Sequence, residues 1–206
     1  ATSSSFYSPR GITTDGTNLY VADRDNHLIR KIVISTGVVT TIAGTGIVGY
    51  DGDGQEALKA RISSPSDIAF DSIGNLYFAD DDANVIRKID TNGIISTILG
   101  SGSPGFSSDG TNALESSIDV PSGLDMSLDG ILYFSDTGNG LLRRINKNGR
   151  IETVAGDNSR KATFSDHTQL NRKIEIIHPK HLRFYNDDVL LVADHFNHQI
   201  HAIKTG

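Results

Sequence analysis

The chain has 206 residues, 37% of them hydrophobic and 21% charged, and 19 Lys and Arg against 25 Asp and Glu give a net charge of −6. This is the composition of a folded globular protein, not of a disordered one, and the acidic balance with scattered Lys and Arg argues against nucleic acid as a partner. No run approaches the roughly 18–20 apolar residues of a membrane span, and the absence of cysteine excludes a disulfide framework and thiolate chemistry.

The opening ATSSS lacks a signal-like apolar stretch and reads as the start of a processed chain, which leans toward an exported setting. No Asn-x-Ser/Thr sequon occurs, which disfavours a heavily N-glycosylated ectodomain. The lack of cysteine leaves the compartment open.

Four short strands follow in order. GITTD (11–15) leads through Asp15-Gly16 to NLYVAD (18–23), a polar turn at 24–26, HLIRKIVI (27–34) and VVTTIAG (38–44). Runs rich in Ile, Val, Leu, Tyr and Phe, broken by residues that accept positive φ, read as an antiparallel meander with strands A to D. The same text returns as DIAFD, NLYFAD and IISTILG, then as GLDMS, ILYFSD and RIETVAG, and last as HLRFY and VLLVAD. Pro9, Pro65, Pro121 and Pro179 are spaced by 56, 56 and 58 residues, and Asp23, Asp80, Asp136 and Asp194 by 57, 56 and 58. A fixed period of this length marks a repeat architecture, with boundaries near 8–63, 64–119, 120–177 and 178–206 in a single domain or segment. A four-stranded sheet has two apolar faces to bury, and radial stacking into an all-β propeller does so. The fourth repeat lacks its outer strand.

The turn Asn26-His27-Leu28, with LYVAD, IRKI and TIAG around it, resembles the NHL-repeat β-propeller family. The resemblance covers almost the whole chain. It implies a propeller that usually has about six blades, or about 336 residues at this repeat length. The expectations are therefore a segment of a larger propeller, a four-bladed ring, or a partial ring completed by a second copy. The resemblance also implies that such propellers mostly recognise protein or RNA, while a minority of their relatives are lyases or lactone hydrolases.

In an A-B-C-D meander the B–C turn and the D–A connection leave the blade at the same end. The A–B and C–D turns are minimal, whereas the D–A connections 45–64, 101–120 and 157–178 are long. Loop elaboration is therefore expected on one face, and loops on rigid scaffolds carry binding residues. The candidates on that face are Arg24, Asp25, His27, Tyr50, Asp51, Asp53, Asp81, Asp82, Phe106, Asp109, His195 and Phe196.

YDGDGQEAL (50–58) matches FSSDGTNAL (106–114), with FSDHTQL (164–170) a looser echo. Asp51, Asp53 and Glu56 raise calcium, but the twelfth position of a calcium loop counted from Asp51 is Ile62, not an acid. The plainer reading has Tyr50, Phe106 and Phe164 anchoring the connections while Ala57 and Leu58 pack beneath.

Asp23 with Arg30, Asp80 with Arg87 and Asp136 with Arg143 keep a spacing of seven, and His201 replaces the arginine after Asp194. Recurrence in every blade assigns these pairs to architecture, because an active site is normally unique. Five histidines, His178, His181, His195, His198 and His201, crowd the last repeat. Zinc held by His195 and His198 is the alternative to a turn cluster, although the spacing matches no paired-ligand helix. Thr13, Ala69, Asp125 and Arg183 are the equivalent channel-lining positions of strand A and form no ring of carboxylates. Neither a Ser-His-Asp arrangement nor a phosphate loop is present.

The reading is a non-catalytic module that binds a protein partner or assembles with itself, with no cofactor. The alternative is a zinc- or calcium-dependent propeller enzyme of the lyase or lactonase type, with RNA binding behind both.

Overall fold

The computed structural model describes residues 5–156 and 174–205. The first blade is β1 (Pro9–Thr14), β2 (Asn18–Asp23), β3 (Leu28–Val33) and β4 (Val39–Ala43), each strand pairing antiparallel with the next. The second is β5 (Pro65–Phe70), β6 (Leu76–Asp80), β7 (Val85–Ile89) and β8 (Ile95–Leu99). The third is β9 (Pro121–Met126), β10 (Leu132–Asp136), β11 (Leu141–Ile145) and β12 (Ile151–Ala155). The fourth holds three strands, β13 (Pro179–Asn186), β14 (Val189–Asp194) and β15 (Gln199–Lys204). The arrangement is all-β and propeller-like, with β1, β5, β9 and β13 packed side by side at the centre.

Turn chemistry sets each hairpin. At the A–B turn of the second blade, Asp71 accepts N–H bonds from Ile73 (3.1 Å) and Asn75 (2.9 Å) while Gly74 takes a φ of +92°, an aspartate-led turn of the kind Asp and Gly favour. The B–C turn ends on a left-handed residue four places after the repeated aspartate in every blade: His27, Asn84, Gly140 and His198. The third blade places glycine there, the residue for which positive φ is cheapest. At the centre, a Cβ on Gly11 would lie 2.5 Å from the Asp67 Cα, so glycine lets β1 approach β5 closely.

Alternation along the strands sends one side-chain row to each neighbouring blade. Ala22, Ile29 and Ala43 meet Ile68, Phe78 and Ile95 across the first seam. Ala79, Ile86 and Leu99 meet Leu124, Phe134 and Ile151 across the second. Tyr133, Leu142 and Ala155 meet Leu182, Leu190 and Val192 across the third. Each such Ile, Leu or Phe contributes about 1.5–3 kcal/mol by leaving water. No equivalent core joins the fourth blade to the first among the described residues. Ile29, Ile86 and Leu142 are 0% exposed, whereas Ile200 at the same repeat position is 75% exposed. On the other side, Ile68 and Leu124 are 0% exposed and their counterpart Ile12 is 54% exposed.

The long connections correct the expectation that they stay on one face. From β4 the chain descends along the outer strand of the next blade. The Gly54 N–H donates to Ile95 O (2.8 Å), the Ile95 N–H to Gln55 O (3.0 Å) and the Ala57 N–H to Gly93 O (2.8 Å). The second connection repeats this, with the Gly110 N–H donating to Ile151 O (2.9 Å) and the Ala113 N–H to Gly149 O (2.9 Å). An outer strand offers unpaired backbone groups that must be covered or left open to other chains, and these segments cover them. Most of the third connection, including Phe164, lies outside the described residues.

Candidate functional site

The repeated aspartates close each blade at the end where the B–C turns lie. Asp23 accepts from the Tyr7 N–H (2.8 Å) and the Asn26 side chain (2.9 Å), and Arg30 is 3.3 Å away. Asp136 accepts from the Asp119 N–H (2.8 Å) and Asn139 (2.9 Å), with Arg143 at 3.4 Å. Asp194 accepts from the N–H groups of Ile177 (3.0 Å) and His178 (2.8 Å), from Asn197 (2.8 Å), and lies 3.3 Å from His201 Nε2. Each carboxylate thus fastens the segment entering strand A onto the B–C turn. In the second blade Ala83 replaces the asparagine, and Asp80 accepts from the backbone N–H groups of Ser63 (3.1 Å) and Ser64 (2.6 Å). Burial, only partly offset by those amides and by Arg87, pushes Asp80 up to about 6.

The arginines reach further than their aspartates. Arg87, fully buried, donates to Arg61 O (3.0 Å), Asp51 O (2.7 Å) and Asp53 Oδ1 (2.7 Å), and its guanidinium lies 5.3 Å from the Tyr50 ring centre. Arg143 repeats the set with Ser107 O (2.8 Å), Asp109 (3.2 Å) and the Phe106 ring at 5.4 Å. Asp51 turns instead to Arg61, accepting from its N–H (2.9 Å) and Nε (2.7 Å). Tyr50, Asp51, Asp53, Phe106 and Asp109 therefore sit on the outer connections, in ion pairs and cation–π contacts, away from the turn cluster.

Arg24, Asp25, Asp81 and Asp82 do come together. Arg24 spans Asp25 (2.8 Å), Asp81 (3.4 Å) and Asp82 (3.6 Å), joining the turns of the first two blades. Asp82 also accepts from Ser64 Oγ (2.5 Å). His27 faces the Ser63 carbonyl through Nδ1 and serves the turn. Asp81 is nearly inaccessible, and burial holds its carboxyl above the usual range against the pull of Arg24 and Arg10. Arg10 reaches it from β1 (3.7 Å).

Sequence reasoning missed Arg10 and Lys180, which follow the strand-opening prolines where the other blades carry Ser66 and Ser122. It also missed Asp67, buried on β5, which takes both guanidinium nitrogens of Arg183 (3.0 and 2.9 Å) across the centre. The available signal was departure from the repeat: Asp67 stands where the other blades have Gly11, Gly123 and His181. Of the strand A residues expected to line the channel, Asp125 accepts from the Phe184 N–H (2.8 Å) and Arg183 pairs with Asp67, so these are tied into the central strands.

The histidines of the fourth blade divide their tasks. His178 stacks on Phe196 with ring centres 4.1 Å apart, and His195 lies 5.9 Å from His178. His198 is the left-handed turn residue, and His201 meets Asp194. No three His, Asp or Glu side chains among the described residues gather as a metal site.

Among the described residues no helix is long and apolar enough to cross a membrane. Comparison with known proteins matches residues 6–32 to the NHL repeat and residues 48–108 to the teneurin NHL domain. NHL repeat-containing protein 2 from Bos taurus is 29% identical over 97% of this chain and 31% of its own length, so the chain spans under a third of that relative. A protein of unknown function from Bacteroides thetaiotaomicron superposes with a TM-score of 0.73 at 19% identity, covering 95% of this chain and 47% of that one. A virginiamycin B lyase from Staphylococcus aureus superposes at 0.57 and 16% identity, covering 96% and 55%, a likeness of fold alone. The phased repeats, the blade topology and these matches to the NHL repeat and the teneurin NHL domain together support an NHL-repeat β-propeller.

Proposed function

We propose that this chain is a non-catalytic recognition module that receives a protein partner at the end of the blades where the B–C turns lie. The observation that carries this reading is how the repeat diverges there. Directly after the repeated aspartates come Arg24, Asp81, Thr137 and His195, and after the strand-opening prolines come Arg10, Ser66, Ser122 and Lys180. Framework positions recur because every blade needs them. Positions that differ from blade to blade, yet meet at one place, are open to being shaped by a ligand. The sequence-level matches add support, since they are to NHL repeat proteins and the teneurin NHL domain, whereas the lyase is alike only in fold.

The test compares the proteins captured from extract by the wild type and by Arg24→Glu, with light scattering to record assembly state. A partner held by the wild type and weakened at least tenfold by Arg24→Glu is expected. A strict monomer that holds no protein, or capture indifferent to the substitution, would overturn the reading. The metal-dependent enzyme draws its support from the histidines of the fourth blade, and stoichiometric zinc or calcium in the purified protein would favour it.

A further inference from the structure

Beside the turn cluster a cavity of about 490 Å³ opens between the first and fourth blades, a size that suits a small ligand or a few side chains. Its polar lining includes Arg10 from β1, Lys180 and His181 from β13, Asp194 from β14, and His195 and His198 from the turn after it. Among the described residues, Asp194 is the one acid in that lining. It is already engaged by two backbone amides, Asn197 and His201. The remaining ionisable groups are cations or imidazoles.

Arg10 and Lys180 occupy one repeat position in different blades, and Arg24 stands beside them. Arg24 is paired with Asp25 (2.8 Å), Asp81 (3.4 Å) and Asp82 (3.6 Å), and the buried Asp81 also lies 3.7 Å from Arg10. Burial and the field of Arg10 hold Lys180 below the ordinary lysine range. Arg24 therefore has carboxylates of its own, whereas Arg10 and Lys180, the two cations that line the cavity, share the field of Asp81 and repel each other in a partly desolvated place. Lys180 Nζ reaches the Ser122 hydroxyl (3.5 Å), yet Ser66 and Ser122 serve the same repeat position in the other blades without a charge, so blade packing does not itself call for the two cations. The Ser66 hydroxyl simply bonds to Ser122 O (2.9 Å).

We propose that this cavity binds a carboxylate-bearing ligand, gripped by the Arg10 guanidinium and the Lys180 ammonium with the histidines at its rim. A guanidinium presents a fork that matches a carboxylate, and lysine adds a point charge. Carboxylate is favoured over phosphate because the His195 and His198 N–H groups are already given to His178 O (3.0 Å) and His195 O (3.4 Å). The backbone amides of the two turn residues that line the cavity are therefore not free to join a nest of the kind that cradles phosphate. The carboxylate comes either from a small free acid or from an acidic segment of the protein partner proposed above. The inference rests on that reading only in placing recognition at this end of the blades.

Calorimetric titration of the intact protein with citrate, succinate, a hexaglutamate peptide and inorganic phosphate tests it. At least one carboxylate ligand is expected to bind. The combined Arg10→Gln and Lys180→Gln substitutions should weaken it at least tenfold, while Lys180→Arg, which controls for folding, retains it. Binding of citrate or succinate without hexaglutamate identifies a small acid as the source, and the reverse identifies an acidic chain. Both outcomes support the site. No binding of any carboxylate, binding unchanged in the double variant, or phosphate binding as tightly as the carboxylates would overturn the proposal. Partner capture with Arg24→Glu is read separately, so a failed anion site and a failed partner reading are told apart.

Discussion

The second and fourth blades are written in nearly the same words, NLYFAD with NVIRKI in one and VLLVAD with HQIHAI in the other, and they fold into the same hairpin. Their surroundings differ. The second blade has a neighbour on both faces, and a covering connection seals its outer strand. The fourth has packed apolar residues on one face only among the described residues. Equivalent side chains consequently carry different energies. Arg87 is buried against Tyr50, Asp53 and two carbonyls, whereas its counterpart His201 meets Asp194. Asp80 is held above its ordinary range by burial. For Asp194, burial is outweighed by backbone and side-chain donors, which hold it below that range. A repeated motif therefore specifies a shape and leaves the energetics to its neighbours.

The sharpest way to break the comparison is to remove the arginine. Arg87→Ala removes a buried cation's hydrogen bonds to two carbonyls and to the half-exposed Asp53, and should cost about 3 kcal/mol, roughly 1 kcal/mol for each bond lost. His201→Ala should cost about 1 kcal/mol, the worth of an ordinary hydrogen bond. Chemical denaturation of the two variants checks the ratio, and equal losses would mean that the fourth blade is as enclosed as the second.

Truncating the seam residue at the same repeat position comes next. Ile86→Ala should lose about 3 kcal/mol through lost burial and a residual cavity. Ile200→Ala should stay within about 0.5 kcal/mol because the side chain already faces water. A large loss at Ile200 in solution would show that its face is covered there, with concentration-dependent melting as the accompanying sign.

The smallest expected effect is electrostatic. With Asp80 pushed up from 3.8 to about 6, the folded state keeps a proton that the unfolded chain releases. Stability from this group is fully present below about pH 4 and is lost as pH rises toward 6, by on the order of 2–3 kcal/mol. Asp194, lowered in the folded state, works with the opposite sign: its contribution is present above the ordinary carboxylate range and is lost as pH falls. Melting followed against pH should lose part of its decline between pH 4 and 6 in Asp80→Asn. Asp136 is also raised by burial and keeps the remainder. The Asp194→Asn variant should instead lose part of the fall on the acid side.

How much of this was legible depends on range. The hairpins were, because Asp71, Gly74 and their counterparts impose their turns through bonds to residues only two to four places away. The anchoring role of Tyr50 and Phe106 was legible from their phase, although the arginines beneath them were not, since those lie 37 positions on in the chain. The descent of the connections was hidden because parity constrains only the two ends of a segment. Bonds such as Ala57 N–H to Gly93 O decide the path between them. His198 looked like a ligand until its left-handed backbone placed it in the turn series with His27, Asn84 and Gly140.

The amino-acid sequence by itself determined the strands, their turns, the phase of the repeat and the propeller architecture, because these follow from local backbone preferences and a two-residue alternation repeated in register. Only the tertiary structure decided that Arg10, Arg24, Asp81 and Lys180 share one place, and that Ile12 and Ile200 stay in water while their equivalents are sealed. Those outcomes depend on how the blades fan around the centre, which brings residues up to 170 positions apart within reach of one another, a distance over which no local pattern carries information.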